Sequence, residues 1–378
     1  MGSHHHHHHD ITSLYKKAGS AAAVLEENLY FQGSFTMLHE IPKSEILKEL
    51  KRIGAKRVLI QSPEGLRREA EELAGFLEEN NIEVFLHGEI NYGACDPADR
   101  EAKLVGCDAL IHLGHSYMKL PLEVPTIFVP AFARVSVVEA LKENIGEIKK
   151  LGRKIIVTTT AQHIHQLKEA KEFLESEGFE VSIGRGDSRI SWPGQVLGCN
   201  YSVAKVRGEG ILFIGSGIFH PLGLAVATRK KVLAIDPYTK AFSWIDPERF
   251  IRKRWAQIAK AMDAKKFGVI VSIKKGQLRL AEAKRIVKLL KKHGREARLI
   301  VMNDVNYHKL EGFPFEAYVV VACPRVPLDD YGAWRKPVLT PKEVEILLGL
   351  REEYEFDEIL GGPRESDEPF GISIHSTR

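Results

Sequence analysis

RVLIQSPEGLRREAEELAGFLEENNIEVFL, residues 57–86, is the stretch on which the fold turns. It opens on a short apolar run, Arg57-Val58-Leu59-Ile60-Gln61-Ser62, of the kind found in buried parallel strands. From Gly65 to Asn80 apolar residues recur three and four apart on one face, with charges on the other, which is the period of an amphipathic helix. The polar pair Asn80-Asn81 stops that helix, and Glu83-Val84-Phe85-Leu86 starts a second strand.

The same pattern returns twice. Lys154-Ile155-Ile156-Val157-Thr158-Thr159 leads to a helix over residues 163–176, a stop at Gly178 and the strand Glu180-Val181-Ser182-Ile183. Gly268-Val269-Ile270-Val271-Ser272-Ile273 leads to a helix over 278–293, a stop at Gly294 and the strand Ala297-Arg298-Leu299-Ile300-Val301. Third strands follow at 109–114, 211–215 and 317–322, and fourth strands at 126–129, 231–235 and, more weakly, 337–340. Strand and helix in alternation imply right-handed crossovers and a parallel sheet in each unit. A spacing near one hundred residues is too long for a solenoid, so the reading is α/β: three similar domains, each a parallel four-stranded sheet with flanking helices, in a pseudo-threefold arrangement around a central site. Long helices over 137–151 and 247–264 close the first two units, placing the domains at 37–150, 151–262 and 263–378, with a polar tail around Glu365 to Gly371.

Residues 1–36 read as an expression tag and linker: six histidines, a cloning scar and the protease site Glu27-Asn28-Leu29-Tyr30-Phe31-Gln32-Gly33, with Met37 as the native start. Setting aside their two lysines and three acids leaves 52 basic and 47 acidic residues, a formal charge of +5. So small a charge over so long a chain, with no block of one sign, argues against a nucleic-acid partner. No apolar run approaches the roughly 20 residues of a membrane span, and a cytoplasmic protein is expected.

Four cysteines occur: Cys95, Cys107, Cys199 and Cys323. In a reducing compartment such scattered thiols point away from disulfides and toward buried packing, nucleophiles or metal ligands. Cys107, in Leu104-Val105-Gly106-Cys107, reads as a helix end packed beneath a strand. The others fall one per unit. Cys95 (Tyr92-Gly93-Ala94-Cys95-Asp96) and Cys199 (Leu197-Gly198-Cys199-Asn200) sit in loops after a second strand, each with a glycine before it and a helix-capping side chain after it. Cys323 (Ala322-Cys323-Pro324-Arg325) directly follows a third strand. Ligands in open parallel sheets gather at the carboxyl ends of the strands, where all three lie. Three thiolates suit a four-iron cluster with one iron left open; a zinc site would need a histidine as well, with His115 and His220 the candidate donors.

These segments resemble, in order and spacing, the archaeal 2-(3-amino-3-carboxypropyl)histidine synthase family of diphthamide biosynthesis, over essentially the whole native chain. The resemblance implies a homodimer and a 4Fe-4S cluster on Cys95, Cys199 and Cys323, with S-adenosylmethionine at the open iron. It also implies a noncanonical radical cleavage at the methionine Cγ, transfer of the 3-amino-3-carboxypropyl group to C2 of a histidine in translation elongation factor 2, and a reductant or electron-donor protein. Candidate cofactor contacts are Gly215, Ser216, Gly217, His115 and Gln162, with His163 and His165 nearby, while Lys274, Lys275 and Arg325 are candidate partners for a carboxylate or an acidic surface. Quinolinate synthase, also three domains around a cluster but acting by Lewis-acid dehydration, is the second reading. A metal-free scaffold for a translation factor is the third.

Overall fold

A computed structural model describes residues 20–24, 41–89, 93–115, 117–118, 120–131, 135–329, 331–361 and 375–376. The first unit runs α1 (Lys43–Arg52), β1 (Arg57–Gln61), α2 (Arg67–Glu79), β2 (Glu83–Leu86), α3 (Asp99–Leu104), β3 (Ala109–Gly114), β4 (Thr126–Pro130), α4 (Val137–Glu143) and α5 (Ile145–Lys149). The second runs β5 (Lys154–Thr159), α6 (Leu167–Ser176), β6 (Glu180–Ser182), β7 (Gly210–Ile214), α7 (Phe219–Thr228), β8 (Val232–Ile235), β9 (Phe242–Trp244) and α8 (Pro247–Ala261). The third runs β10 (Lys266–Ser272), α9 (Leu280–Lys292), β11 (Glu296–Met302), β12 (Ala317–Val321), α10 (Arg325–Asp329), β13 (Val338–Leu339) and α11 (Pro341–Leu347).

The three units share one sheet topology: β4-β3-β1-β2, β8-β7-β5-β6 and β13-β12-β10-β11, all parallel. In each, the first strand of the unit lies between its second and third. Val58, Ile155 and Val269, for example, pair with residues on both neighbours. Helices cover such strands on both sides, so β1, β5 and β10 are buried along almost their whole length. The helix after the first strand of every unit ends the same way: Asn81, Gly178 and Gly294 occupy the equivalent position with φ of 65°, 94° and 79°. Glycine takes that left-handed turn without steric cost, and asparagine is among the few other residues that tolerate it.

Several elements depart from the sequence reading, which also did not place the helices α1, α10 and α11. Residues 137–151 form two short helices, because the Asn144 side chain donates to Ala140 O (2.8 Å) and Lys240 O (2.9 Å) and its backbone bends at the junction. Helix α7, Phe219-His220-Pro221-Leu222-Gly223, is buried through most of its length and has no polar face to mark it. The exposed β9 adds antiparallel to β8. On the first sheet, Ser20–Val24 pairs parallel with β4 and is itself joined antiparallel by His375–Ser376; an open edge of unpaired amides takes up whatever strand is within reach. The tail around Glu365 to Gly371 lies outside the described residues.

The apolar interior runs across the seams between units. One cluster continues from Leu73 and Ile111 of the first unit through Ile155, Leu174 and Leu233 of the second. Another joins Phe213 and Leu224 of the second to Val269, Ile286 and Val319 of the third. Each fully buried Leu, Ile or Phe here stabilises by roughly 1.5–3 kcal/mol relative to exposure. At the second seam the 0 %-exposed Arg254 of α8 donates twice to Glu343 of α11 (2.8 Å each), and also to Pro327 O (2.7 Å) and Val338 O (2.8 Å).

Candidate metal centre

The parallel topology brings the carboxyl ends of the three sheets together, and the loops there carry Cys95, Cys199 and Cys323. Cys95 lies in a turn closed by Asp96 N donating to Gly93 O (3.1 Å). The turn rests on the third unit. Gly276 N donates to Cys95 O (2.7 Å), and Gln277 Nε2 donates to Cys95 Sγ (3.2 Å). A Cβ at Gly276 would stand 2.5 Å from Cys95 Cβ and 2.6 Å from its Cα, so only glycine lets the two backbones meet. Gly276→Ala is therefore expected to push the Cys95 turn outward and to lower iron incorporation several-fold while leaving the thermal midpoint within a few degrees of wild type; iron analysis and a melt on the same sample check this.

Cys199 is held by its neighbours in a different way. Its carbonyl accepts from Ile359 N (2.7 Å), and the buried Asn200 donates to both carboxylate oxygens of Asp187 (3.0 and 2.9 Å). Asn200 Oδ1 accepts from Ser202 N (3.0 Å), closing a local turn just ahead of Ser202–Ala204, whose N-cap position is Tyr201. Asp96 does not cap α3: its carboxylate pairs instead with Lys274 (3.0 Å), whose charge competes better for it than an amide does. Cys323 follows β12 and accepts Val326 N (3.1 Å) at the start of α10.

The three thiols are electrostatic neighbours. Burial pushes the Cys199 thiol up, and Cys323 and Cys95 both add to the shift, while Arg189 and Arg279 oppose it. Burial also pushes Cys95 up, against the Gln277 hydrogen bond and Arg189. Cys107 stands apart, 5 % exposed and packed with Leu59, Ala102 and Leu110. Among the described residues no group of three or more His, Cys, Asp or Glu has the spacing that a single metal ion needs. A cluster, by contrast, spreads its thiolates over separate corners.

The surroundings fit such a group. Thiolates and sulfides bring negative charge into a partly dry site, and two guanidinium groups stand ready to balance it. Arg279 is engaged by Asp357 (2.8 and 3.2 Å). Arg189 reaches Gly276 O (3.0 Å) and Met118 Sδ (3.3 Å) through Nη2, whereas its Nε is buried without a protein partner. Neither arginine was among the sequence candidates. Arg189 lies in the loop after the second strand of unit two, the counterpart of the Cys95 loop, and a search of that loop for cations would have found it.

Next to the Cys95 loop is a chain of fixed tautomers. Gln61 Nε2 donates to Asp96 O (2.7 Å), so Oε1 is its acceptor, receiving Ala98 N (2.9 Å) and His112 Nδ1 (2.7 Å). His112 therefore carries its proton on Nδ1. Burial holds its pKa well below 6.5, so its Nε2 accepts, and His115 Nδ1 (3.1 Å) must be the donor. His115, held at about 4 by burial, is neutral with its lone pair on Nε2.

Other sequence candidates divide. Gly215 is backed by the Phe213 ring, and Ser216, Gly217 and Gln162 are exposed at the same edge. His220 stacks on Phe213 (6.1 Å). Lys274 and Lys275 tie the third unit to the first through Asp96, Asp99 (2.5 Å) and Pro121 O (2.7 Å), and Lys274 also pairs with Asp304 of its own unit (3.1 Å), so both charges are committed within the chain. Arg325 lies over the Phe219 ring (4.8 Å). Tyr92 and Ser116 fall outside the described residues. A cavity of about 450 Å³ opens where the first and third units meet, lined by His87, Asp96, Glu101, Lys274 and Asp304.

His163 is packed rather than presented. It is 1 % exposed, lies edge-on to Tyr238 (5.7 Å), and neither ring nitrogen has a protein partner. Burial first, then His165, holds its pKa at about 4 against an ordinary 6.5. The unfolded chain binds the proton more readily, so this contribution to stability is full above about pH 6.5 and falls as the pH drops toward 4. His163→Phe is expected to remove roughly 2–3 kcal/mol of the difference between pH 7 and pH 4.5 in urea unfolding; an unchanged difference would show the ring titrating freely.

With this geometry in view, comparisons with known proteins agree with one another. The family of diphthamide synthesis proteins matches residues 62–359. A 2-(3-amino-3-carboxypropyl)histidine synthase from Methanocaldococcus jannaschii is 32 % identical over 348 residues, which is 87 % of this chain and 95 % of that protein. Subunit 1 of the synthase from Eremothecium gossypii is 30 % identical over 316 residues, 79 % of this chain and 72 % of that protein. Two crystal structures of Dph2 from Pyrococcus horikoshii, one of them with a 4Fe-4S cluster, are 99 % identical and superpose with TM-scores of 0.88 and 0.87, each covering 90 % of this chain and 100 % of that one.

Proposed function

The chain belongs to the diphthamide synthesis protein family, and from that premise we propose that Cys95, Cys199 and Cys323 jointly hold its 4Fe-4S cluster and that the acceptor is a histidine of translation elongation factor 2. It is a transferase of the first step of diphthamide biosynthesis, an iron-sulfur enzyme that uses S-adenosylmethionine. The observation that carries the ligand assignment is that the Cys199 thiol feels both Cys323 and Cys95, one sulfur from each of three units.

Bound and reduced, the cluster would supply the one electron that breaks the bond from sulfur to methionine Cγ and leaves 5′-methylthioadenosine; joining the 3-amino-3-carboxypropyl group to imidazole C2 then releases the C2 proton and one electron. The chain's own residues set the conditions. Three thiolates leave one of four irons without a protein ligand. Gly276 and Gln277 fix the Cys95 turn, Asn200 and Asp187 fix the Cys199 loop, and Arg189 and Arg279 offset the charge. A homodimer working in the cytoplasm with an electron-donor protein completes the reading. No helix among the described residues is long and apolar enough to cross a membrane.

The test is an anaerobic reaction of reduced protein with S-adenosylmethionine labelled in the aminocarboxypropyl carbons and elongation factor 2, followed by mass spectrometry. Label on a single histidine is the expected outcome. Methyl transfer, or label released with none on the factor, would overturn the acceptor assignment.

A further inference from the structure

Arg189 is not used up by the protein around it. Its charge acts on both the Cys95 and Cys199 thiols; Nη2 holds Gly276 O (3.0 Å), and Gly276 N holds Cys95 O (2.7 Å). The other cations at this centre are committed. Arg279 is clamped by Asp357, Lys274 by Asp96 and Asp304, Lys275 by Asp99, and Arg325 lies on Phe219. Arg189 alone in that set keeps a buried Nε–H with no protein acceptor. A buried donor left unpaired costs roughly 1–3 kcal/mol, and a chain retains such a group where a ligand completes it.

We propose that Arg189 is the specificity residue for the amino-acid half of S-adenosylmethionine, its Nε–H donating to the α-carboxylate. The inference rests on the reading that this centre binds S-adenosylmethionine. Three facts favour a carboxylate. A charged guanidinium N–H bonds most strongly to an anionic oxygen, and with Nη2 already held by Gly276 O and Met118 Sδ the Nε–H is the donor offered on that edge. The carboxylate is the anionic group of S-adenosylmethionine, whose sulfonium and ammonium would be repelled from a cation. Fixing the carboxylate also fixes the neighbouring Cβ and Cγ, and with them which carbon–sulfur bond lies nearest the iron. The role is one of positioning: Arg189 gains and loses no proton or electron.

The test is equilibrium binding of labelled S-adenosylmethionine and of decarboxylated S-adenosylmethionine to the anaerobic, oxidised holoprotein, in which no turnover occurs. Wild type is expected to prefer the intact cofactor by roughly 10–100-fold. Arg189→Met should erase that preference by weakening the intact cofactor alone, and Arg189→Lys should restore part of it. Equal affinity of wild type for the two compounds would overturn the proposal without any variant, which protects the test if Arg189→Met takes up its cluster poorly. An equal loss for both compounds in Arg189→Met would also overturn it, assigning the residue to the cluster's charge balance, which the midpoint potential would register. Failure of wild type to bind either compound would instead remove the reading on which the inference rests.

Discussion

Cys199→Ala protein, reconstituted anaerobically beside wild type, is expected to retain iron only at the background of adventitious binding, to lack the absorption of an intact cluster, and to transfer no aminocarboxypropyl group. Changing an outer partner of a metal ligand already costs roughly 10–100-fold in affinity or activity, and removing a ligand exceeds that. With thiolates from the first and third units only, the second unit is also left without a bond to the centre. Cys107→Ala is the matched control. Its thiol is buried beneath β3 with apolar neighbours, so its loss should cost about 1 kcal/mol of stability and no iron. Iron and sulfide counted on both variants separate the two roles; equal iron in Cys199→Ala and wild type would reject the ligand set.

Arg254→Met is expected to be the most destabilising single change away from the cysteines, by roughly 3–5 kcal/mol. Arg254 and Glu343 are both 0 % exposed. The carboxylate also accepts Thr340 N (2.8 Å) and the Tyr354 hydroxyl (2.9 Å). Methionine fills similar volume and leaves Glu343 as a buried anion whose strongest donor is gone, with Pro327 O and Val338 O losing their donors too. Arg254→Met with Glu343→Gln should recover much of the loss, because the uncompensated charge is then absent. Chemical unfolding of the single and double variants measures the coupling; additive losses would show that the pair is not acting as one unit.

The repeated strand–helix–strand pattern was readable because each unit carries its own periodicity and its own helix stop, at Asn81, Gly178 and Gly294. Helix α7 was not, since a helix buried on most sides shows no amphipathic stripe, and Asn144 breaks a continuous helical pattern through a bond to Lys240 O, ninety-six residues away. The cysteines stood out by rarity and by one-per-unit placement. Their supports did not: Gly276, Gln277 and Arg189 matter through contacts that cross units, and nothing local in Lys274-Lys275-Gly276-Gln277 distinguishes a wedge under Cys95 from an ordinary turn. The lysine pair read as a partner for an outside anion and proved to be a clasp between the first and third units.

Because apolar packing runs unbroken over both seams, the three repeats cannot be treated as beads that come apart. A fragment carrying one repeat would expose a face that its neighbour normally covers and would be expected to aggregate rather than to fold. Hinged opening of the second lobe against either neighbour would tear the same interior. Passage to the centre is therefore left to loops and side chains and to the polar seam between the first and third units, where the lysine clasp and the cavity lie.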